Sequence, residues 1–373
     1  MKEKIGILGG GQLGRMLIQK GIDWNLRFSV LDPDAQAPCS GMADFVHGKL
    51  TDYETVVNFG ASCDIITVEI ENVNTAALKK LRDNGKKVFP QPEIIELIQD
   101  KRLQKQFYLD HHIPTAEFLL IENQKDAEAH KYFLPAVNKL GREGYDGRGV
   151  QLIRTSDDLS KVFDAPGLLE KFVGFEKEIS VIVARNEKGE IISYPAVEMV
   201  FHPEANLVEY LFAPAVLTKQ IAELADSTAQ RVMQALDMVG ILAVEMFVTN
   251  AGEVLVNEVA PRPHNSGHQT IEANVTSQYE QHLRTILNFP LGDTSITQPS
   301  AMVNLLGEEG YSGKAKYEGL EEVLKIPGIY VHLYGKAITK PFRKMGHVTI
   351  VDMDIETLKK KAKFVKHTLK VIA

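Results

Sequence analysis

The sequence Ile241-Leu-Ala-Val-Glu-Met-Phe-Val248, a turn at Asn250-Ala251-Gly252, and the sequence Glu253-Val-Leu-Val-Asn-Glu-Val259 predict a hairpin of two apolar strands. A two-residue loop at Ala251-Gly252 would place Glu245 directly opposite Glu258. A slip of two residues would still leave these glutamates as diagonal neighbours on one face. Opposed Cβ atoms lie roughly 5 Å apart, so two carboxylates there need a shared proton or a divalent cation between them.

The ligand chemistry of this predicted pair indicates magnesium. Mg²⁺ usually reaches a protein through one or two carboxylates and the phosphates of a substrate. We therefore expect Glu245 and Glu258 to bind Mg²⁺, with Mn²⁺ as the alternative metal. The competing interpretation is a surface hairpin that carries two solvated glutamates.

Composition excludes several classes of protein. The chain has 373 residues, 44% of them hydrophobic and 24% charged, which is typical of a globular protein with two or three domains. Its net charge of −7 argues against a nucleic-acid partner. The two cysteines form no metal or redox motif, and no apolar stretch is long enough to span a membrane. We expect a cytoplasmic protein without a membrane partner.

The order of predicted elements indicates an α/β (α+β) protein with three parts. Strands and helices alternate over residues 1–95, which predicts a Rossmann-like parallel sheet that ends at Pro90-Gln91-Pro92. Residues 96–295 form the predicted central domain and include the acidic hairpin. Residues 296–373 form a small mixed domain with a final helix from Ile355.

A glycine-rich turn follows the first predicted strand. Gly9-Gly10-Gly11-Gln12-Leu13-Gly14 matches G-x-G-x-x-G, and Asp32 follows the second predicted strand. Backbone N–H groups at such a turn can bind a phosphate, and an acid in the position of Asp32 can bind a ribose. The motif alone leaves three interpretations open: a dinucleotide site, a site for another phosphate, and a purely structural turn.

A second glycine-rich segment, Gly144-Tyr145-Asp146-Gly147-Arg148-Gly149, lies between two predicted strands and ends at Val150. Three glycines around a cation suit a flap that closes over a polyphosphate, and the segment is not a Walker loop because G-K-[ST] is missing. Lys139 precedes it by five residues and is a candidate phosphate ligand, although a lone strand lysine is usually a surface charge.

Two further segments carry polar groups that could bind substrates. The strand Glu170-Lys171-Phe172-Val173 can present backbone groups to an adenine, and Glu178 can accept from ribose hydroxyls, although core packing would explain the strand equally well. The stiff loop from Asn257 to His268 suits a second substrate. Lys336 and the pair Arg343-Lys344 could bind a phosphate on that substrate, or could be exposed charges beside a hairpin.

These motifs together resemble the ATP-grasp superfamily and, within it, the N5-carboxyaminoimidazole ribonucleotide synthetases. The resemblance runs nearly end to end. It rests on GGGQLGRML at 9–17, EIENV at 69–73, the K-x₄-GYDGRG segment from Lys139, VEMF at 244–247, NEVAPRPHNSGH at 257–268 and GKAITKPFRKMGH at 335–347. It implies an ATP-grasp domain over 96–295 whose lid subdomain covers about 113–170.

The resemblance also implies a role for each matching residue. ATP would be bound by Lys101, Lys139, Gly144–Val150, Glu170, Lys171, Phe172, Val173, Glu178, His202, Asn257 and Glu258. An aminoimidazole ribonucleotide would be bound by Gly11, Gln12, Leu13, Glu71, Asn72, Arg262, His264, Asn265, Ser266, Lys336, Arg343 and Lys344. Catalytic roles would fall to Glu71, Arg262, His264 and Asn265, with His264 or Glu71 relaying a proton.

The implied reaction is the carboxylation of 5-aminoimidazole ribonucleotide by ATP and bicarbonate through carboxyphosphate, in purine biosynthesis, and a homodimer is implied as well. Three alternatives stand beside it. A sibling ATP-grasp ligase that uses formate or glycine would keep the acidic hairpin but lack NSGH. A nicotinamide-dependent oxidoreductase is suggested only by the glycine turn and Asp32. A catalytically silent regulatory subunit would not need both acids and both lysines.

Overall fold

The structure is a computed structural model that describes residues 3–142, 144, 149–201 and 208–373. The N-terminal part is a parallel five-stranded sheet with strand order β3-β2-β1-β4-β5. The order reverses between β1 and β4, which opens a crevice at their carboxyl ends. Its strands are β1 Lys4–Leu8, β2 Arg27–Asp32, β3 Asp44–His47, β4 Ile65–Val68 and β5 Lys87–Val88, and its helices are α1 Gln12–Ile22, α2 Tyr53–Ala61 and α3 Thr75–Asp83.

Two helices lead from this sheet into a small antiparallel sheet with strand order β6-β9-β7-β8. Apolar side chains such as Phe133, Ile153 and Leu169 form its own core. The elements are α4 Pro92–Ile98, α5 Lys101–Asp110, β6 Phe118–Ile121, α6 Gln124–Ala129, β7 Ala136–Leu140, β8 Val150–Ile153 and β9 Gly167–Lys171, with short 3₁₀ helices at Lys131–Phe133 and Ser156–Lys161.

A nine-stranded sheet forms the centre of the molecule. Its strands follow the order β15-β14-β10-β12-β13-β16-β21-β19, and β11 pairs with β10. The first part comprises β10 Phe175–Arg185, β11 Ile191–Ser193, β12 Val197–Phe201, β13 Val208–Ala213, α7 Lys219–Leu236, β14 Gly240–Thr249, β15 Val254–Ala260, α8 Thr270–Ala273 and α9 Gln278–Ile286, with a 3₁₀ turn at Asn265–Gly267.

The C-terminal residues extend this sheet, since β16 pairs with β13. The sheet thus runs across residues 295 and 296, the boundary expected between the last two domains, and that division stays a prediction. The elements are β16 Ser300–Leu306, β17 Gly313–Lys314, β18 Lys316–Glu318, α10 Leu320–Leu324, β19 Ile329–Leu333, β20 Ile338–Thr339, β21 Lys344–Val351, α11 Ile355–Thr368 and β22 Lys370–Ile372. In the described ranges, no helix is both long and apolar enough to cross a membrane.

The acidic hairpin forms as predicted, but its turn and register differ from the expected loop. Val248 pairs with Val254, so the turn contains three residues beyond Thr249 rather than the two-residue loop Ala251-Gly252. A β-bulge next to Met246 then shifts the register by one residue and restores the pairing of Glu245 with Glu258. The extra residue of the bulge is Asn257. Because a bulge interrupts the alternation of side chains, Asn257 and Glu258 can both serve the same side of the sheet.

Candidate active site

The opposed carboxylates lie on neighbouring strands, and their pKa values are shifted in opposite directions. Burial and the facing Glu258 carboxylate raise the pKa of Glu245 well above its usual value. The Lys101 ammonium, which forms an ion pair with Glu258, lowers the pKa of Glu258 to about 2. Although burial alone would lower the pKa of Lys101, Glu258 raises it. The pair therefore consists of an ionised Glu258 and a protonated Glu245, as expected for two acids in one confined site.

A buried charge network lies beside this pair. The Glu170 carboxylate contacts Lys139 Nζ at 3.0 Å and also pairs with Lys105, whose ammonium donates to Thr115 Oγ1. Despite burial, the two lysines lower the pKa of Glu170, whereas burial lowers the pKa of Lys105 to about 8. Two ammonium groups share one carboxylate, so the network supplies positive charge where a polyphosphate is expected.

Asn257 and Glu178 connect the network to the acidic pair. Lys139 Nζ donates to Asn257 Oδ1 at 2.8 Å. Burial and the nearby charge of Glu258 raise the pKa of Glu178 to about 7. The structure thus brings Lys101, Lys139, Glu170, Glu178, Asn257, Glu245 and Glu258 together in one place. A protonated Glu178 is able to donate or accept a hydrogen bond, which suits a partner with hydroxyl groups.

The loop after β15 places a second set of polar groups against the acidic pair. Arg262 Nε lies 2.9 Å from Glu71 Oε1, and His264 Nε2 lies 3.5 Å from Glu245 Oε1. His264 Nδ1 accepts from the Ser266 backbone N–H at 3.3 Å and lies 2.9 Å from Ser266 Oγ. Because Nδ1 accepts the Ser266 backbone N–H, the proton of the neutral imidazole is assigned to Nε2. The Nε2–H of His264 therefore faces Glu245. Asn265 begins the following 3₁₀ turn.

The glycine turn after β1 faces a carboxylate of the protein itself. Glu69 follows β4, and its Oε1 accepts from the Leu13 N–H at 3.1 Å in the first turn of α1, which begins at Gln12. A Cβ atom at Gly11 would lie only 2.3 Å from this oxygen. Burial raises the pKa of Glu69 to about 7, against the opposing effect of Arg262. The helix terminus therefore already has an anionic partner when Glu69 is ionised.

Asp32 has a structural role that the sequence did not indicate. Its Oδ2 accepts from the Gly10 N–H at 2.6 Å and its Oδ1 accepts from the Asp34 N–H at 2.7 Å. Both carboxylate oxygens thus hold backbone turns in place. This arrangement supports the structural interpretation of the glycine turn over a ribose-binding role for Asp32.

The remaining predicted site residues lie at the C-terminal turn, around the strand that contains Lys171, and at the predicted flap. Lys336 Nζ donates to the Lys344 carbonyl at 2.8 Å, and Arg343 Nη1 donates to the Ile338 carbonyl at 2.6 Å, so these cations are gathered around one turn. Lys171 Nζ donates to the Phe133 carbonyl at 3.0 Å. Phe172 and Asn72 are exposed, and Val173 is half-buried. Gly144, Gly149 and Val150 belong to the predicted flap, and Val150 pairs with Lys139. Tyr145, Asp146, Gly147, Arg148 and His202 lie outside the described residues.

Comparison with family models divides the chain into three matches. A ribonucleotide synthetase preATP-grasp domain matches residues 1–99, an ATP-grasp domain matches residues 106–279, and a phosphoribosylaminoimidazole carboxylase C-terminal domain matches residues 300–361. The crystal structure of N5-carboxyaminoimidazole ribonucleotide synthetase from Thermotoga maritima is 44% identical, with a TM-score of 0.91 over 100% of this chain and 99% of that chain. The chain belongs to the family of N5-carboxyaminoimidazole ribonucleotide synthetases.

Other members of this synthetase family agree with the assignment. The synthase from Bacillus subtilis is 37% identical over 355 residues, which cover 93% of this chain and 91% of that protein. A structure from Aspergillus clavatus in complex with ADP and 5-aminoimidazole ribonucleotide is 33% identical and has a TM-score of 0.89, over 98% of each chain. The chain spans 69% and 65% of the phosphoribosylaminoimidazole carboxylases from Ogataea methanolica and Vigna aconitifolia.

Two residues of the candidate site were missed by the sequence analysis. Glu69 directly follows the buried strand β4 at the carboxyl edge of the parallel sheet, where folds of this kind bind ligands. Lys105 lies one helical turn after Lys101 on the same helix. Its spacing of four residues was the available signal, since side chains at i and i+4 share a helix face.

The carboxylates of the acidic pair could supply only part of the coordination shell of a divalent cation. Among the residues that the structure describes, no group of three His, Cys, Asp or Glu side chains could hold a metal ion. Glu245 and Glu258 supply the carboxylate oxygens of the opposed pair on the hairpin. This number matches Mg²⁺, which completes its coordination with water and substrate phosphates rather than with a full set of protein ligands.

Proposed function

We propose that this protein uses ATP and bicarbonate to carboxylate the exocyclic amine of 5-aminoimidazole ribonucleotide, giving N5-carboxyaminoimidazole ribonucleotide, ADP and phosphate. The observation that carries the proposal is the direct pairing of Glu245 with Glu258 beside the loop that holds Arg262 and His264. This arrangement supports a nucleotide site next to a second substrate site.

The nucleotide half would serve phosphoryl transfer. A bicarbonate oxygen attacks the γ-phosphorus, the new P–O bond forms, and the bond to the β-phosphate oxygen breaks to release ADP. Such a step depends on charge neutralisation and alignment more than on covalent catalysis. Lys101 and Lys139 would bind the phosphates, and Mg²⁺ held by Glu245 and Glu258 would neutralise phosphate charge.

The second half would bind the ribonucleotide and its amine. The amine nitrogen attacks the carbonyl carbon of carboxyphosphate, the C–N bond forms, and phosphate leaves with the electrons of the C–O bond. The amine must also lose a proton. Glu69 suits this role better than Glu71, because Glu71 is paired with Arg262 whereas the pKa of Glu69 is about 7. His264 remains the alternative, with its Nε2–H directed at Glu245.

The residues expected at the ribonucleotide converge from three parts of the chain. Glu69 and the glycine turn come from the N-terminal sheet, Arg262 from the loop after β15, and Lys336 from the C-terminal strands. The Glu69 carboxylate is influenced electrostatically by both Arg262 and Lys336, which supports their proximity. Lys336, Arg343 and Lys344 would bind the phosphate of this substrate.

The test is ADP release measured with ATP, bicarbonate and 5-aminoimidazole ribonucleotide, together with incorporation of isotope from labelled bicarbonate. We expect ADP release to depend on the ribonucleotide and label to enter it. Formate with a glycinamide ribonucleotide, or glycine with phosphoribosylamine, would replace this pair in a sibling ligase. Turnover with either, and none with bicarbonate, would refute the proposal.

The other properties of the protein follow from this proposal. We infer a cytoplasmic homodimer with small-molecule substrates, Mg²⁺ as the metal, and functional domains at about residues 1–95, 96–295 and 296–373. Sedimentation of the purified protein tests the dimer. The nicotinamide alternative predicts heat stabilisation by NAD(P)H. The bonds of Asp32 to Gly10 and Asp34 weigh against it, because they occupy the acid that would bind the ribose.

A further inference from the structure

Three histidine rings form a stack where the loop after β15 meets the C-terminal strands. The ring centroids of His268 and His347 are 4.5 Å apart, and those of His347 and His332 are 4.4 Å apart. His332 and His347 are directly opposed on β19 and β21, whereas His268 follows the 3₁₀ turn at Asn265–Gly267. We call these three residues the histidine stack.

Each ring of the stack has a polar partner. Tyr279 Oη lies 3.0 Å from His268 Nδ1, and Tyr334 Oη lies 3.0 Å from His347 Nδ1. His332 Nε2 lies 2.8 Å from Glu272 Oε1. Complete burial lowers the pKa of His268 and of His347 far below the usual value, so both rings are neutral. Neutral stacked rings that also hold directional bonds resist both separation and sliding.

The stack lies close in sequence to each segment expected at the ribonucleotide phosphate. His268 follows Ser266 by two residues, His347 follows Lys344 by three, and His332 precedes Lys336 by four. The bond from Lys336 Nζ to the Lys344 carbonyl joins the two lysine-bearing segments to each other. The stack therefore connects the loop of the central domain to both of them.

We propose that the histidine stack is a positioning device that sets Lys336 and Lys344 in register with the Arg262–Ser266 loop, and so determines affinity for the phosphorylated end of the ribonucleotide. The inference rests on the proposed function. None of the three rings needs to touch substrate for this role. A site assembled from separate segments loses affinity when its parts shift by a fraction of an ångström, so the residues that fix the register control binding.

The test compares two substitutions of His347 with a matched control on the same strand. His347→Ala removes the stack and the bond to Tyr334, and His347→Phe keeps an aromatic ring but loses that bond. Val348→Ala is the control, because Val348 is fully buried on the opposite face of β21 in the core beneath α11. All three variants lose buried contacts, but only the first two disturb the histidine stack.

We expect the KM for 5-aminoimidazole ribonucleotide to rise about tenfold in His347→Ala and less in His347→Phe, with the KM for ATP changed less than about twofold. Val348→Ala should lower the melting temperature and leave both KM values unchanged. An unchanged ribonucleotide KM in both His347 variants would refute the inference, as would equal rises in the KM values of both substrates. An equal rise in Val348→Ala would also refute it. Wild-type protein that does not turn over the ribonucleotide would instead refute the proposed function, and the inference with it.

Discussion

Glu245→Gln and Glu258→Gln should affect the metal-free protein differently, although both should abolish turnover. Glu258 is ionised beside Lys101, and lowering its pKa from 4.5 to about 2 corresponds to about 3 kcal/mol at about 1.4 kcal/mol per unit. Because 42% of the Glu258 side chain is exposed, solvent screening should reduce this contribution to about 1 kcal/mol. Burial and the facing Glu258 carboxylate raise the pKa of Glu245 and so favour its neutral acid, which glutamine resembles in charge and shape, and the change should stay within about 0.5 kcal/mol.

The assay is thermal unfolding at pH 7 in EDTA and then with Mg²⁺ and ADP. For a chain of 373 residues, these free energies correspond to a melting temperature lower by about 1.3 °C in Glu258→Gln and by less than about 0.7 °C in Glu245→Gln. When the concentration of ADP with Mg²⁺ is a hundredfold above Kd, the free energy of unfolding of the wild-type protein should rise by about 2.7 kcal/mol. Both variants should lose most of this stabilisation. Equal destabilisation of the two metal-free variants would contradict the assigned protonation states. Undiminished stabilisation by Mg²⁺ and ADP in both would contradict the metal site.

Three further predictions concern Glu69, Gly11 and Lys105. The pKa of Glu69 is raised in the folded protein, so its contribution to stability is complete below pH 4.5 and is lost as pH rises through about 7. Glu69→Gln should therefore gain melting temperature relative to wild type between pH 5 and pH 8, and parallel pH profiles would count against this reasoning. Gly11→Ala places a methyl group 2.3 Å from Glu69 Oε1, so it should weaken ribonucleotide binding at least about tenfold in calorimetry while ADP binding persists. Lys105→Met removes one of the two lysines paired with buried Glu170, and we expect a loss of about 3 kcal/mol in urea unfolding and weaker ADP binding. Wild-type ADP affinity in that variant would show that Lys105 does not serve the nucleotide site.

Sequence patterns predicted the elements that carry long apolar runs. The parallel N-terminal strands, the final helix from Ile355 and the acidic hairpin are confirmed, because hydrophobic periodicity and turn residues agree there. β3 and β6 were missed: β3 contains no buried residue and β6 contains one, so neither is a continuous buried apolar run. Between β8 and β9 the chain forms a short 3₁₀ helix at Ser156–Lys161, held by a capping box at Thr155 and Asp158.

Site residues were predictable where a local sequence motif indicated their chemistry. They were not predictable where their role depends on contacts between distant parts of the chain. The pairing of Glu245 with Glu258 follows from the hairpin, although the three-residue turn and the bulge at Asn257 compensate for each other in a way that no local pattern specifies. The involvement of Glu69 depends on the crossing order of β1 and β4, which brings residues 11 and 69 together. The histidine stack depends likewise on long-range pairing of β19 with β21.

In the metal-free protein, Lys101 forms an ion pair with Glu258, the carboxylate that should bind the metal. Mg²⁺ and Lys101 then compete for Glu258, and a nucleotide resolves the competition by giving the displaced ammonium a phosphate to bind. Lys101→Met should therefore bind Mn²⁺ more tightly than wild type when nucleotide is absent, because the competitor is gone and two acids remain opposed. The same variant should bind ADP more weakly. Electron paramagnetic resonance of free Mn²⁺ measures the first effect and calorimetry the second. Lys105→Met is the control for the Mn²⁺ measurement alone, because it leaves Glu258 paired with Lys101. Weaker Mn²⁺ binding by Lys101→Met would mean that the lysine assists the metal rather than substituting for it.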